Sequence, residues 1–259
     1  MNIFVEIYKY RQMIASFVKR DLKGRYKASV LGFLWTFINP LLQLLVYTMV
    51  FSVIMRAGIK DYYLFLFVAL IPWIFFASSV SGGAGCVVGQ SAMVTKIYFP
   101  REVLPISYVL SNFVNMLLSF LVVFAVLIVA GKPINFLALL YLPLIMLIEF
   151  MLALGLAMIS SAVSVYFRDL EYILSIVVMA WQFLTPIMYS QEMIQDETIL
   201  KIFMLNPMTS VIIAYRDILY YGKVPDVSTL LLAAGMGVGF LILGFLVFGR
   251  LKRRFAEEL

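Results

Sequence analysis

The sequence predicts an all-α, polytopic membrane protein with six transmembrane helices, on three observations. Of its 259 residues, 64% are hydrophobic and only 13% charged, whereas soluble domains carry about 25% charged residues and are about half apolar. The apolar residues fall in long runs: Leu31 to Met55, Tyr62 to Thr95, Val103 to Gly131, Pro133 to Phe167 (interrupted only by Glu149), Tyr172 to Gln191 and Val227 to Gly249. About 20 apolar residues carry a helix across the hydrocarbon core. Finally, the runs do not alternate with period two, as the strands of a membrane barrel must. In lipid each backbone N–H and C=O needs a partner within its own segment, so each run is read as a helix. Residues 1–259 form one transmembrane domain on this reading, with the six spans in 30–249.

The elements follow in chain order. Residues 1–29 are charged throughout and lack the apolar core of a cleavable signal peptide. Within them Ile3, Ile7, Tyr10, Ile14, Phe17, Val18 and Leu22 recur at steps of three and four, with Lys9, Lys19, Arg20 and Lys23 largely off that stripe. An amphipathic interface helix lying in the inner headgroup layer is expected, held by apolar burial and by anionic lipid. The run from Tyr62 to Thr95 exceeds one span and carries Gly82, Gly83, Gly85 and Gly89 near its end. A second crossing there would invert the charge pattern downstream, so one helix extended into the cytoplasm is expected, its glycines allowing close packing. Between the fifth and sixth spans, the arm 191–226 contains an uncharged stretch, Ile202 to Tyr215, too short to cross. Asn206–Pro207 suits a helix start and Gly222 a stop. Two short re-entrant helices are expected, which either gate an exit or pack the outer rim. Residues 250–259 form a basic tail with Arg250, Lys252, Arg253 and Arg254.

Basic residues set the orientation. Six spans put both termini on one side, and the lysines and arginines of residues 1–29 and of the tail make that side cytoplasmic. Lys96, Arg101 and Arg168 fall on the same side; Arg56, Lys60, Lys132, Lys201, Arg216 and Lys223 fall outside. Cys86 is the sole cysteine and histidine is absent, so intrachain disulfides and imidazole chemistry are excluded. No G-x-x-x-x-G-K-[ST] sequence is present, so ATP hydrolysis by this chain alone is not expected. No catalytic, cofactor-binding or metal-ligating residue is assigned.

Two inner connections pair aromatic residues with a small charged cluster: "KIYFPREVLP" (Lys96 to Pro105) and "VYFRDLEYI" (Val165 to Ile173). Pro100 keeps Phe99 extended, and Glu102 meets the positive end of the following helix. Such tips either dock into a pocket on another protein or anchor at headgroup level. Glu149 lies mid-span in the fourth helix, where a carboxylate costs about 2.5–3.5 kcal/mol or more and marks a functional candidate; either a hydroxyl, an amide or water is its partner or desolvation keeps it protonated, in a packing or a transport role. Arg20, Lys23, Arg25 and Lys27 sit at the inner headgroup level, where a lipid pyrophosphate or ordinary anionic lipid would meet them.

Four ordered segments carry a resemblance: "KRDLKGRYKASVLGFLWTFINPLLQLLVYTMVFSVI" (Lys19 to Ile54), "KIYFPREVLP", "VYFRDLEYIL" running on to "WQFLTPIMYS", and "LNPMTSVIIAYRDIL". Together they resemble the permeases of type-2 ABC exporters, in the branch that moves polysaccharides. The resemblance implies a homodimer in the bacterial cytoplasmic membrane, both termini cytoplasmic. It also implies two separate ATPase subunits, which hold ATP and magnesium and dock on Lys96, Ile97, Tyr98, Phe99, Pro100, Arg101, Glu102, Phe167, Arg168 and Asp169. The implied cargo is a glycan on an undecaprenyl pyrophosphate or related carrier, O-antigen first, with teichoic acid or capsule as alternatives. It implies a channel between protomers lined by the first and fifth spans, hence Trp35, Gln43, Tyr47, Trp181, Gln182 and Tyr189; aromatic faces let sugar rings slide where one deep polar site would hold them. Nucleic acid is not an expected partner. Two other classes remain open. A lipid-linked glycosyltransferase needs paired carboxylates at the surface, and the one tight inner pair, Asp169 and Glu171, is spaced so as not to share a helix face. An ion-driven transporter commonly carries inverted repeats, which are not visible here.

Overall fold

The computed structural model describes residues 3–25, 29–55, 58–133, 135–193 and 196–259; Lys27 and Arg56 lie outside the described residues. Helix α1 (Ile3–Lys9) is separated at Tyr10 from α2 (Arg11–Arg25), so the expected interface helix is broken once. Tyr10, Ile14 and Phe17 of the apolar stripe pack on the core, as does Met13, and α2 lies along α7.

Helix α3 (Trp35–Thr48) is entered through a 3-10 turn, Gly32–Leu34, and leaves through a π-helical turn, Met49–Ile54. Pro40 inside it lacks the N–H that would bond the Thr36 carbonyl. The Ser119 hydroxyl donates to that carbonyl instead, at 3.4 Å. Helix α4 (Tyr62–Gly83) is apolar on all faces and buried nearly throughout, with α3, α7, α9, α10 and α12 around it, as such a helix must be. Asp61 precedes it in the left-handed conformation (φ 48°) and accepts from Lys132 at 2.9 Å. That contact holds the Asp61 carboxyl below its usual value and raises the Lys132 ammonium.

The expected cytoplasmic extension of α4 is not one helix. It breaks into α5 (Gly85–Val88) and α6 (Ser91–Lys96). Glycine weakens a helix by about 1 kcal/mol per residue, and here it also permits close approach: a Cβ at Gly83 would lie 3.0 Å from that of Ala157, and one at Gly85 3.0 Å from the Glu171 carboxylate.

Helices α7 (Val103–Val129), α8 (Phe136–Leu139) and α9 (Leu142–Tyr166) follow, then α10 (Leu170–Phe183). The arm holds α11 (Glu197–Met204) and α12 (Pro207–Leu219), bent by 93° to each other, and the chain ends in α13 (Val227–Leu251), a 3-10 turn Lys252–Arg254 and α14 (Phe255–Glu258). Among the described residues five helices are long and apolar enough to cross a membrane, or six if the bent pair of the arm counts as one span. The fifth expected span is the exception: α10 has 14 residues, about 21 Å of helix at 1.5 Å per residue, and the rest of that run, 184–190, is not α-helical.

Helix α13 packs most closely on α9. A Cβ on Gly155 would overlap the Phe240 carbonyl, one on Gly244 would lie 2.5 Å from the Gly155 oxygen, and one on Gly237 2.9 Å from that of Ile148. Small residues let two backbones meet where lipid offers no hydrophobic driving force between helices. These three glycines, rather than those of the 82–89 cluster alone, set the tightest helix pair.

Candidate functional site

The two aromatic turns lie at the same end of the bundle, beside the C-terminal tail. In the first, Lys96 ends α6 and Ile97 is extended, so the helix stops ahead of Pro100. The apolar tip is smaller than the sequence suggests. Tyr98 is 88% exposed and Ile97 58%, but Phe99 is only 5% exposed and belongs to the core, with Pro100 buried beside it. Phe99 is thus covered by the chain's own core, and its ring is the tip's foundation. Glu102 does precede α7, but its side chain caps no amide. It accepts from the Lys252 ammonium at 2.5 Å while itself 1% exposed. Arg101 donates to the Lys252 carbonyl. In the second turn Phe167, Arg168 and Asp169 are all exposed, and the Tyr166 hydroxyl donates to the Leu251 carbonyl at 2.8 Å.

Between α2, α3, α4 and α7 lies a cavity of about 160 Å³. Trp35 and Gln43 of the expected channel set line it, as does Arg25. The sequence reading missed Thr36, Asn39, Ser78, Asn112, Asn115 and Ser119, which complete a lining of carboxamides and hydroxyls. The signal was present: Thr36, Asn39 and Gln43, and likewise Asn112, Asn115 and Ser119, recur at steps of three and four inside apolar runs. Asn115 Oδ1 is buried without a partner among the described residues, so a hydrogen-bonding occupant fits there.

Three of the four expected phosphate cations are described, and they line different hollows. Arg25 donates to Asp21 (2.9 Å) and Asn112 Oδ1 (2.6 Å), which fixes it at the cavity mouth as a neutralised pair. Arg20 stacks on Phe17, 4.6 Å from the ring centroid, and lines a separate hollow with Asp21, Tyr108 and Glu171. Lys23 faces an apolar groove between α2, α7 and the Gly32–Leu34 turn, together with Lys19. Lys27 lies outside the described residues. A single clamp built from Arg20, Lys23 and Arg25 is thus not formed within one chain. Helical spacing carried the signal for one of these contacts, since Asp21 and Arg25 stand four residues apart on α2.

The remaining channel candidates cluster where α3 nears α10. Gln182 donates to the Tyr47 hydroxyl at 3.4 Å, so the first and fifth spans meet there. Trp181 donates to Asn206 Oδ1 (2.9 Å), and Asn206 in turn caps α12 at Met208 N (3.0 Å) and donates to Thr185 (2.9 Å). The predicted start of α12 therefore holds, and so does its end: Gly222 adopts φ 64° and lets the Lys223 amide return to the Asp217 carbonyl at 2.8 Å. The Tyr189 hydroxyl donates to Phe183. Arg216, counted in the sequence only as an outer charge, is buried and donates to the carbonyls of Pro186 (2.5 Å), Ile187 (2.6 Å) and Tyr189 (3.2 Å), with Phe65 stacked at 3.6 Å. The α-helix ends at Phe183, so the carbonyls that follow it have no helical amide and need another partner. In lipid such carbonyls must find donors within the protein or a water-filled cavity, and Arg216 supplies three of those bonds.

Glu149 is 0% exposed and accepts from the Tyr215 hydroxyl at 2.6 Å, the hydroxyl partner that the sequence left among three options. The pair ties α9 to α12, and Tyr215 stacks on Phe120 of α7 at 5.7 Å.

A family model described as ABC-2 type transporter matches residues 12–220. Over 255 residues the chain is 39% identical to the O-antigen export system permease protein RfbA of Myxococcus xanthus, covering 98% of both chains. It is 34% identical over 247 residues, 95% of each chain, to the protein of that name from Klebsiella pneumoniae. The polysialic acid transport protein KpsM of Escherichia coli is more remote, 23% identical over 213 residues, 80% of this chain and 81% of its own. The matched region takes in both aromatic turns, the polar cavity and both helices of the re-entrant arm, and the chain belongs to the ABC-2 type transporter family.

Proposed function

We propose that the chain is the membrane-spanning subunit of an ATP-driven exporter that moves a lipid-linked polysaccharide, O-antigen, out across the bacterial cytoplasmic membrane. End-to-end similarity to two O-antigen export permeases carries this reading. Two copies of the chain work with two copies of a cytoplasmic ABC ATPase, which holds ATP and magnesium. Ile97 and Tyr98, with Phe167, Arg168 and Asp169, form the face offered to that subunit. Their exposure and mixed apolar and charged character support the assignment. On the positive-inside rule this face, with both termini, is cytoplasmic. The uncovered apolar faces of α3 and α10, including Leu42, Leu45, Ile176 and Met179, are free for a second protomer.

The glycan passes between protomers along α3 and α10. Sugar hydroxyls exchange bonds with Gln43, Asn39 and Asn115 at the cavity, and rings slide on Trp35 and Tyr47. Carrier phosphate is met at the headgroup level by Lys19 and Lys23, because Arg25 is already engaged by Asp21. A second reading, capsule export, is favoured only by the likeness to the polysialic acid transport protein. Deleting the gene separates the two: undecaprenyl-linked O-antigen accumulates in the inner leaflet on the first reading, and a capsular glycan on the second. O-antigen that still reaches the outer face in the deletion strain refutes the first.

A further inference from the structure

The C-terminal tail joins the two aromatic turns. Lys252 reaches Glu102 at the base of the first turn at 2.5 Å, and its own carbonyl accepts from Arg101. One residue earlier, the Leu251 carbonyl accepts from Tyr166 at the base of the second turn at 2.8 Å. The Phe255 ring is fully buried beneath these contacts, 6.3 Å from Tyr166, 5.5 Å from Phe248 and 5.8 Å from the Arg101 guanidinium.

We infer that Lys252 and Phe255 are positioning residues for energy coupling: they brace the two turns into one rigid unit with α13. The deduction rests on the exporter reading above. The last carbonyls of a helix lack intrahelical donors, and here side chains from two other connections fill those of α13. The Lys252 ammonium also sits at the negative end of α13, where a cation is favoured. The buried Glu102 carboxylate has one counter-charge, Lys252, among the described residues, so the base of the exposed tip cannot shift without moving the tail. Force applied at Ile97 and Tyr98 therefore reaches α7, α9 and α13 together. Without the brace the tip would bend alone and ATP would be spent without displacement of the spans.

The test uses the full permease co-purified with its ATPase and reconstituted in proteoliposomes, alongside export in cells. Lys252→Met is expected to keep the complex assembled and ATP hydrolysis within about twofold, while lowering glycan exported per ATP by about tenfold, as for contacting residues that couple. Phe255→Ala is expected to do the same, and Lys252→Arg to restore export to within about twofold. Unchanged export per ATP in both Lys252→Met and Phe255→Ala overturns the inference, even if the melting temperature falls. Loss of the complex in Lys252→Met also overturns it, because the tail is then part of the docking face. If the unaltered complex shows no ATP-dependent glycan export, the exporter reading fails and the inference falls with it.

Discussion

Neighbouring aromatic residues in the first turn should respond oppositely to truncation. Tyr98 is 88% exposed and Phe99 5% exposed. Phe99→Ala removes a buried ring and leaves a cavity, which costs about 3–5 kcal/mol. At about 2–4 °C per kcal/mol for a chain of this size, the melting temperature should fall by roughly 10 °C. Tyr98→Ala removes little buried area, and its stability should stay within about 0.5 kcal/mol of the parent. The order reverses for partner binding. Replacing an exposed aromatic anchor by Asp should weaken ATPase association by about 2 kcal/mol or more, some 30-fold at about 1.4 kcal/mol per decade. Thermal unfolding of the detergent-purified permease measures the first effect, and titration with the ATPase the second. If Phe99→Ala melts like the parent and Tyr98→Ala does not, the division into tip and foundation is wrong.

Three further outcomes follow from the geometry. Gly155→Ala should destabilise by about 1–3 kcal/mol because its Cβ must push apart the α9 and α13 backbones, whereas Gly235→Ala and Gly239→Ala, with open space around them, should be neutral or stabilising by up to about 1 kcal/mol; denaturation in detergent distinguishes them. Tyr215→Phe should cost about 1–3 kcal/mol by stripping Glu149 of its donor, and adding Glu149→Leu should recover most of that loss if the pair serves packing. The Asp61–Lys132 pair should make stability pH-dependent at both extremes. Asp61 is held below its ordinary value, so its contribution is present above pH about 4 and lost as pH falls through the folded value. Lys132 is raised, so its contribution is present below pH about 10 and lost as pH climbs through its folded value. The melting difference between the parent and Asp61→Asn should therefore be flat between those limits and shrink outside them; a difference growing at acid pH would contradict the assignment.

Long apolar runs announced the spans because lipid admits little else, and Asn206, Pro207 and Gly222 announced the limits of α12 because capping is local chemistry. The polar stripes of α3 and α7 were also readable, since helical periodicity alone places their members on one face. The burial of Phe99 was not: hydrophobicity says that a ring avoids water, not whether core or partner covers it. Nor could local pattern show that Arg216 donates to the carbonyls after α10.

By itself the sequence determined the solvent, the helices and most of their ends, because those depend on contacts a few residues apart and on the absence of water in lipid. Only the tertiary structure decided which side chains share a cavity, which cations remain free, and that Lys252 and Tyr166 join two turns far apart in the chain. Such pairings depend on how helices pack, and a ring or charge is committed only when another segment arrives beside it.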